Sequence, residues 1–173
     1  MKQVYDYGFR EFGENRLEDY YLHSENFNDA IFHFIAPLQS RKIRSIFENF
    51  EFIHTVSRHK EIDLISKLKN KREVFLQVNI DNDKNKSGMD PDLIFEYFEY
   101  SKNRINLPIG LMCIPNIQSD PNIVFSKMQK INTELKNIYS EYKGELSMGM
   151  SEDYEIALDY GATIVRVGSK IFK

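Results

Sequence analysis

Short runs of β-branched and aromatic residues take turns with longer amphipathic stretches along this whole chain, and that alternation leaves few folds open. Seven runs read as strands: Arg10–Gly13, Ile31–Ala36, Phe52–Val56, Val74–Ile80, Ile109–Ile114, Glu145–Met150 and Thr163–Val167. Several are apolar along nearly their full length, as strands covered on both faces are. Strand–helix–strand repetition predicts a parallel sheet with helices packed outside it. Periodicity does not choose between an open doubly wound sheet and a closed barrel. Eight-stranded barrels of this class run to about 250 residues. A chain of 173 residues has room for seven strands.

The helices between these strands carry readable starts. Asp90-Pro91 and Asp120-Pro121 each put an N-cap acid before a proline at the first helical position. Ser151-Glu152-Asp153 is expected to cap a helix that Gly161 ends. In the longest helix Val124, Met128, Ile131, Leu135 and Ile138 fall on one apolar face, expected to be core. The basic run Lys67–Arg72 falls where a helix should end, and cations there complement the helix dipole.

Composition narrows the function. A net charge of −3 gives no case for nucleic acid or an anionic membrane. One cysteine, Cys113, allows no disulfide within the chain and no thiol-rich metal site. No apolar run is long enough to span a bilayer, and the start has no hydrophobic signal core. A cytoplasmic setting and one domain over residues 1–173 are expected.

Familiar catalytic signatures are missing: there is no phosphate loop, no dinucleotide turn and no nucleophile elbow. Of the histidines, His33 and His54 sit inside strand candidates and are expected to be satisfied interior side chains, not ligands or bases. The informative segments come last. Ser147-Met148-Gly149-Met150-Ser151 runs from a strand into a helix, and Arg166-Val167-Gly168-Ser169-Lys170 follows the final strand. Barrels often build a phosphate site from the loops after their last two strands. Gly149 and Gly168 let backbone come close, Ser147 and Ser169 offer hydroxyls, and Arg166 offers a positive fork. The alternative is a pair of ordinary tight turns with a structural arginine.

Six segments, in order, resemble the pyridoxal phosphate homeostasis proteins, single-domain relatives of the N-terminal barrel of alanine racemase. They are Phe12-Gly13-Glu14-Asn15, His33–Lys42, Gln77-Val78-Asn79 with Lys86-Ser87-Gly88, Gly110–Pro115, Leu146–Ser151 and Val165–Gly168. The resemblance implies a (β/α)8 barrel with a pyridoxal 5′-phosphate site at its C-terminal rim. The family's phosphate elements map onto Ser147, Met148, Arg166, Gly168 and Ser169, and its ring-side asparagine onto Asn15.

One departure stands out. The family anchors the cofactor as a Schiff base on a lysine of its first strand, and here Met1 falls inside the helix that follows that strand. Lys2 is expected outside the barrel, and Lys42, Lys86 and Lys170 near the rim. The resemblance therefore implies an incomplete barrel holding strands two to eight, with unpaired edges on strands two and eight. The cofactor is expected to be held non-covalently. The function expected is a carrier or buffer of pyridoxal phosphate, with no catalytic residues and no metal, handing the cofactor to recipient enzymes and existing as a monomer or an edge-paired homodimer. The alternatives are an amino-acid racemase, a sugar-phosphate enzyme on the same fold, or a fragment without a ligand.

Overall fold

The computed structural model describes residues 1–172. Its seven strands are β1 (Glu11–Glu14), β2 (Ile31–Phe34), β3 (Phe52–Val56), β4 (Glu73–Gln77), β5 (Gly110–Met112), β6 (Glu145–Met150) and β7 (Ile164–Arg166). They lie in sequence order and every neighbouring pair is parallel. The sheet curls into a nearly closed barrel of the (β/α)8 type, with seven of the eight strands among the described residues. All seven strands stand where the apolar runs predicted them, with ends that differ by up to three residues. Among the described residues no ladder joins β7 to β1, so both are edges.

The helices are α1 (Lys2–Asp6), α2 (Leu17–Ser24), α3 (Ile43–Asn49), α4 (His59–Ile65), α5 (Ile94–Lys102), α6 (Pro121–Ile138) and α7 (Tyr154–Asp159). Alternation along the strands divides the apolar residues into two sets. Phe32, Phe34, Ile53, Val74, Leu76, Leu111, Leu146 and Met148 face outward, against the helices, in the main core. Phe75, Ile109 and Met112 form a separate cluster with Phe52, Ile114 and Ile164, which fills the barrel interior. Gly110 lets this interior close: a Cβ there would sit 2.1 Å from the Glu145 carbonyl oxygen.

Three local expectations are corrected. Ile138 is exposed, and the buried face of α6 instead adds Phe125 and Asn132 to Val124, Met128 and Leu135. Asn132 belongs there because its amide donates to the Gly144 carbonyl and accepts from the Tyr142 hydroxyl, so no polar group is left unpaired. Ser151 does not cap α7, whose N-cap is Asp153. The basic run follows the end of α4, but Arg72 reaches across to the Phe47 and Glu48 carbonyls and so caps α3. The acid caps hold: Asp90 accepts from the Asp92 N–H and Asp120 from the Asn122 N–H.

Candidate functional site

Side chains at inward positions of the strands build a polar chain through the otherwise apolar interior. His33 of β2 and His54 of β3 touch ring to ring, Nδ1 to Nε2 at 2.9 Å. His54 Nδ1 lies 2.8 Å from the Ser147 hydroxyl of β6. Arg166 of β7 donates to that hydroxyl at 2.5 Å and to the Cys113 carbonyl at 2.8 Å. Stacking on aromatic rings locks both imidazoles, His33 on Phe52 and His54 on Phe75.

The electrostatics are unusual at one group. Arg166 has no carboxylate within ion-pair distance among the described residues. Desolvation pulls its pKa down, although a guanidinium stays charged at any physiological pH. A charge removed from water without a partner is costly. Two of its N–H donors are used by the barrel wall and the rest remain for a ligand. Burial drives the His33 pKa down to about 4 and holds that of His54 well below its ordinary value. Proximity to His33 and Arg166 adds to the effect on His54. Burial also pushes the Cys113 thiol up to about 12, so it is not a nucleophile.

The residues singled out in the sequence are distributed as follows. Ser147 and Arg166 meet directly. Ser147 is fully buried, however, and its hydroxyl is taken by His54 and Arg166. It supports the arginine from behind instead of facing the rim. The Met148 side chain points the other way, into the core beneath the helices, so only its backbone lies along the rim strand. Gly168 follows Arg166, its N–H directed at the Ser151 hydroxyl at 3.3 Å, and a Cβ there would meet nothing within 4 Å. Ser169 is exposed in the next turn. Gly149 serves packing: with φ of +90°, a Cβ on it would come 2.6 Å from the Ala157 Cβ of α7. Asn15 is exposed at the end of β1, across the open edge from β7, and lines a cavity of about 710 Å³ with Arg16, Lys42 and Arg58.

Among the described residues no lysine stands on a strand. Lys2 is exposed on α1, Lys42 pairs with Glu18 at 3.3 Å and Lys170 lies over the Tyr154 ring. Lys86 donates to the Ile114 and Pro115 carbonyls. Among the described residues no cluster of three metal-binding side chains occurs, and no helix is long and apolar enough to cross a membrane. Sequence reasoning passed over the link from His54 to Ser147, because 93 residues separate them and only barrel closure brings them together.

These features define a (β/α) barrel whose C-terminal end presents an uncompensated arginine braced by a serine and two neutral histidines. The chain belongs to the alanine racemase N-terminal domain family, which matches residues 1–173. It is 34% identical over 182 residues to the pyridoxal phosphate homeostasis protein of Aquifex aeolicus, covering 99% of this chain and 80% of that one. The protein of the same name from Pseudomonas aeruginosa is also 34% identical over 182 residues, with 99% and 77% covered. Among solved structures, PipY of Synechococcus elongatus with PLP bound superposes with a TM-score of 0.85 at 29% identity, over 99% of this chain and 85% of that one. An alanine racemase from Clostridium difficile shares the fold, with a TM-score of 0.76 at 11% identity over 99% of this chain and 49% of that one.

Proposed function

We propose that this chain binds pyridoxal 5′-phosphate non-covalently at the rim around Arg166 and acts in intracellular cofactor homeostasis, holding and releasing the cofactor without turnover of its own. The observation that carries this reading is the unpaired guanidinium of Arg166, braced on the Ser147 hydroxyl and the Cys113 carbonyl. A half-buried cation without an acid in ion-pair reach favours an anion, and a phosphate accepts in the fork geometry arginine offers. Gly168 leaves room beside it, and Ser169 supplies a nearby exposed hydroxyl. Asn15, on the far side of the open edge, is suited to the ring side of the ligand. The residues present therefore fit the phosphate end of the group. When bound, the cofactor supplies a reactive aldehyde; the barrel supplies orientation and charge.

The family's name on its relatives agrees with a binding role. A racemase role is less well supported, because among the described residues no lysine stands on a strand and both interior histidines are buried neutral. Residues 1–173 are proposed to work as one domain in the cytoplasm, as a monomer or an edge-paired homodimer, passing the cofactor to enzymes that depend on it.

Equilibrium dialysis with pyridoxal phosphate, pyridoxal and inorganic phosphate tests this reading. Pyridoxal phosphate should bind, inorganic phosphate should compete, and pyridoxal should bind at least tenfold more weakly. Borohydride treatment of the mixture should leave no adduct confined to one lysine. Equal binding of pyridoxal and its phosphate, or no binding of either, would overturn it.

A further inference from the structure

The buried imidazoles have no place in the function so far, yet the hydrogen-bond chain gives them a direction. Arg166 can only donate, so the Ser147 oxygen accepts from it and the Ser147 O–H is left to donate. The partner within reach is His54 Nδ1, which must then be the unprotonated nitrogen. The His54 proton therefore sits on Nε2 and is given to His33 Nδ1. That leaves the His33 proton on its own Nε2, a buried nitrogen without a hydrogen-bond partner, with the Glu11 carboxylate 3.6 Å away. Every hydrogen bond from β7 to β2 is thus set in one sense by the arginine at its start.

We propose that His54, backed by His33, is a positioning residue of the ligand site, a neutral acceptor that holds the Ser147 hydroxyl and through it the Arg166 fork in the orientation that meets the anion. The inference rests on the binding reading above. The groups that face this chain are Glu11 on β1, the Cys113 carbonyl after β5 and, acting on Arg166 through its charge, Asp153 before α7. None of these takes the place of His54 as the hydroxyl's acceptor. Without that acceptor the hydroxyl turns freely and the guanidinium keeps only the Cys113 carbonyl as a fixed brace, while ring stacking on Phe75 would be kept by an aromatic replacement.

Two variants and one spectrum test this. His54→Phe keeps the ring and removes the acceptor; His54→Asn restores an acceptor near the position of Nδ1. With thermal midpoints close to the parent's, the Phe variant should bind pyridoxal phosphate at least tenfold more weakly and the Asn variant should recover most of the loss. Long-range proton–nitrogen NMR of the unsubstituted protein needs no variant to fold, and it should find both His33 and His54 protonated on Nε2 alone at neutral pH. Parent-like affinity in the Phe variant, an Asn variant as weak as the Phe variant, or a proton on His54 Nδ1 would overturn the proposal. No binding by the unsubstituted chain would instead sink the function proposed above and leave the tautomer result to stand by itself.

Discussion

Arg166 carries a charge that no accessible pH removes, in surroundings that do not neutralise it, and its neighbours are arranged around that fact. A second cation beside it would be costly, and the two histidines answer by staying neutral. This has a measurable consequence. Both imidazoles are buried unprotonated, so below about pH 6.5 the unfolded chain takes up protons that the folded chain refuses. Stability should be complete above that pH and fall as pH drops toward 4, where folded His33 itself begins to titrate. At 1.36 kcal/mol per pKa unit the His33 share is roughly 3 kcal/mol. Denaturant midpoints between pH 7.5 and pH 5 should show the fall, and His33→Phe should make it shallower, leaving the His54 share; a flat parent profile would contradict the burial argument. At this scale the sequence revealed identity better than geometry. Ser147 and Arg166 were readable as a pair, because glycine-bearing loops after the last strands are a known phosphate device. The direction of Met148 followed from strand alternation and was overlooked. The hydroxyl's second partner was out of reach, because nothing local in the sequence links β3 to β6.

Secondary-structure elements were the most legible layer. Apolar runs covered on both faces mark buried strands whatever the neighbours do, and proline after aspartate marks a helix start by local chemistry alone. Helix α6 shows where local reading stops. Ile138, the last residue of the helix, is exposed, and the buried face took in Asn132 because Tyr142 and Gly144 satisfy that amide. Phe125, fully buried on this face, should cost about 3–5 kcal/mol when cut to alanine. Removing the Asp120 cap should cost about 1 kcal/mol. Urea unfolding of the two variants should rank them in that order; a larger loss from the cap would mean that the helix is held by its end and not by its face. The turn before α7 was misread for a related reason. Ser151 has the composition of a cap, but its hydroxyl accepts from Gly168 across the strand gap, and Asp153 takes the Met150 N–H.

Seen whole, the described residues form a barrel of seven parallel strands with a line of polar side chains running from the edge strand β7 back to β2. Arg166 ends the edge strand β7, with Gly168 two residues on, and Asn15 follows the other edge strand, β1. A ligand that bridges this opening should stabilise the fold by mass action, by about 2.7 kcal/mol at a concentration one hundred times its dissociation constant. For a chain of this length that is a rise in melting temperature of roughly 5–10 °C. Pyridoxal phosphate should produce the rise and pyridoxal should not; equal shifts would mean that the phosphate is not what the barrel holds. The number and order of strands could be read from the sequence, while closure into a barrel could not, because it depends on sheet curvature and on interior packing such as the Gly110 contact.

The most direct test of the account is a pyridoxal phosphate titration of the unsubstituted chain beside Arg166→Met, a variant of similar length without the charge. Two or three charge-assisted hydrogen bonds at about 1.5–3 kcal/mol each set the scale of the loss, at about 1.4 kcal/mol per factor of ten. The account predicts saturable binding by the parent and an affinity at least tenfold lower in the variant, with the thermal midpoint kept or raised as a half-buried, unpaired charge is removed. Binding that survives the loss of Arg166 unchanged would contradict it.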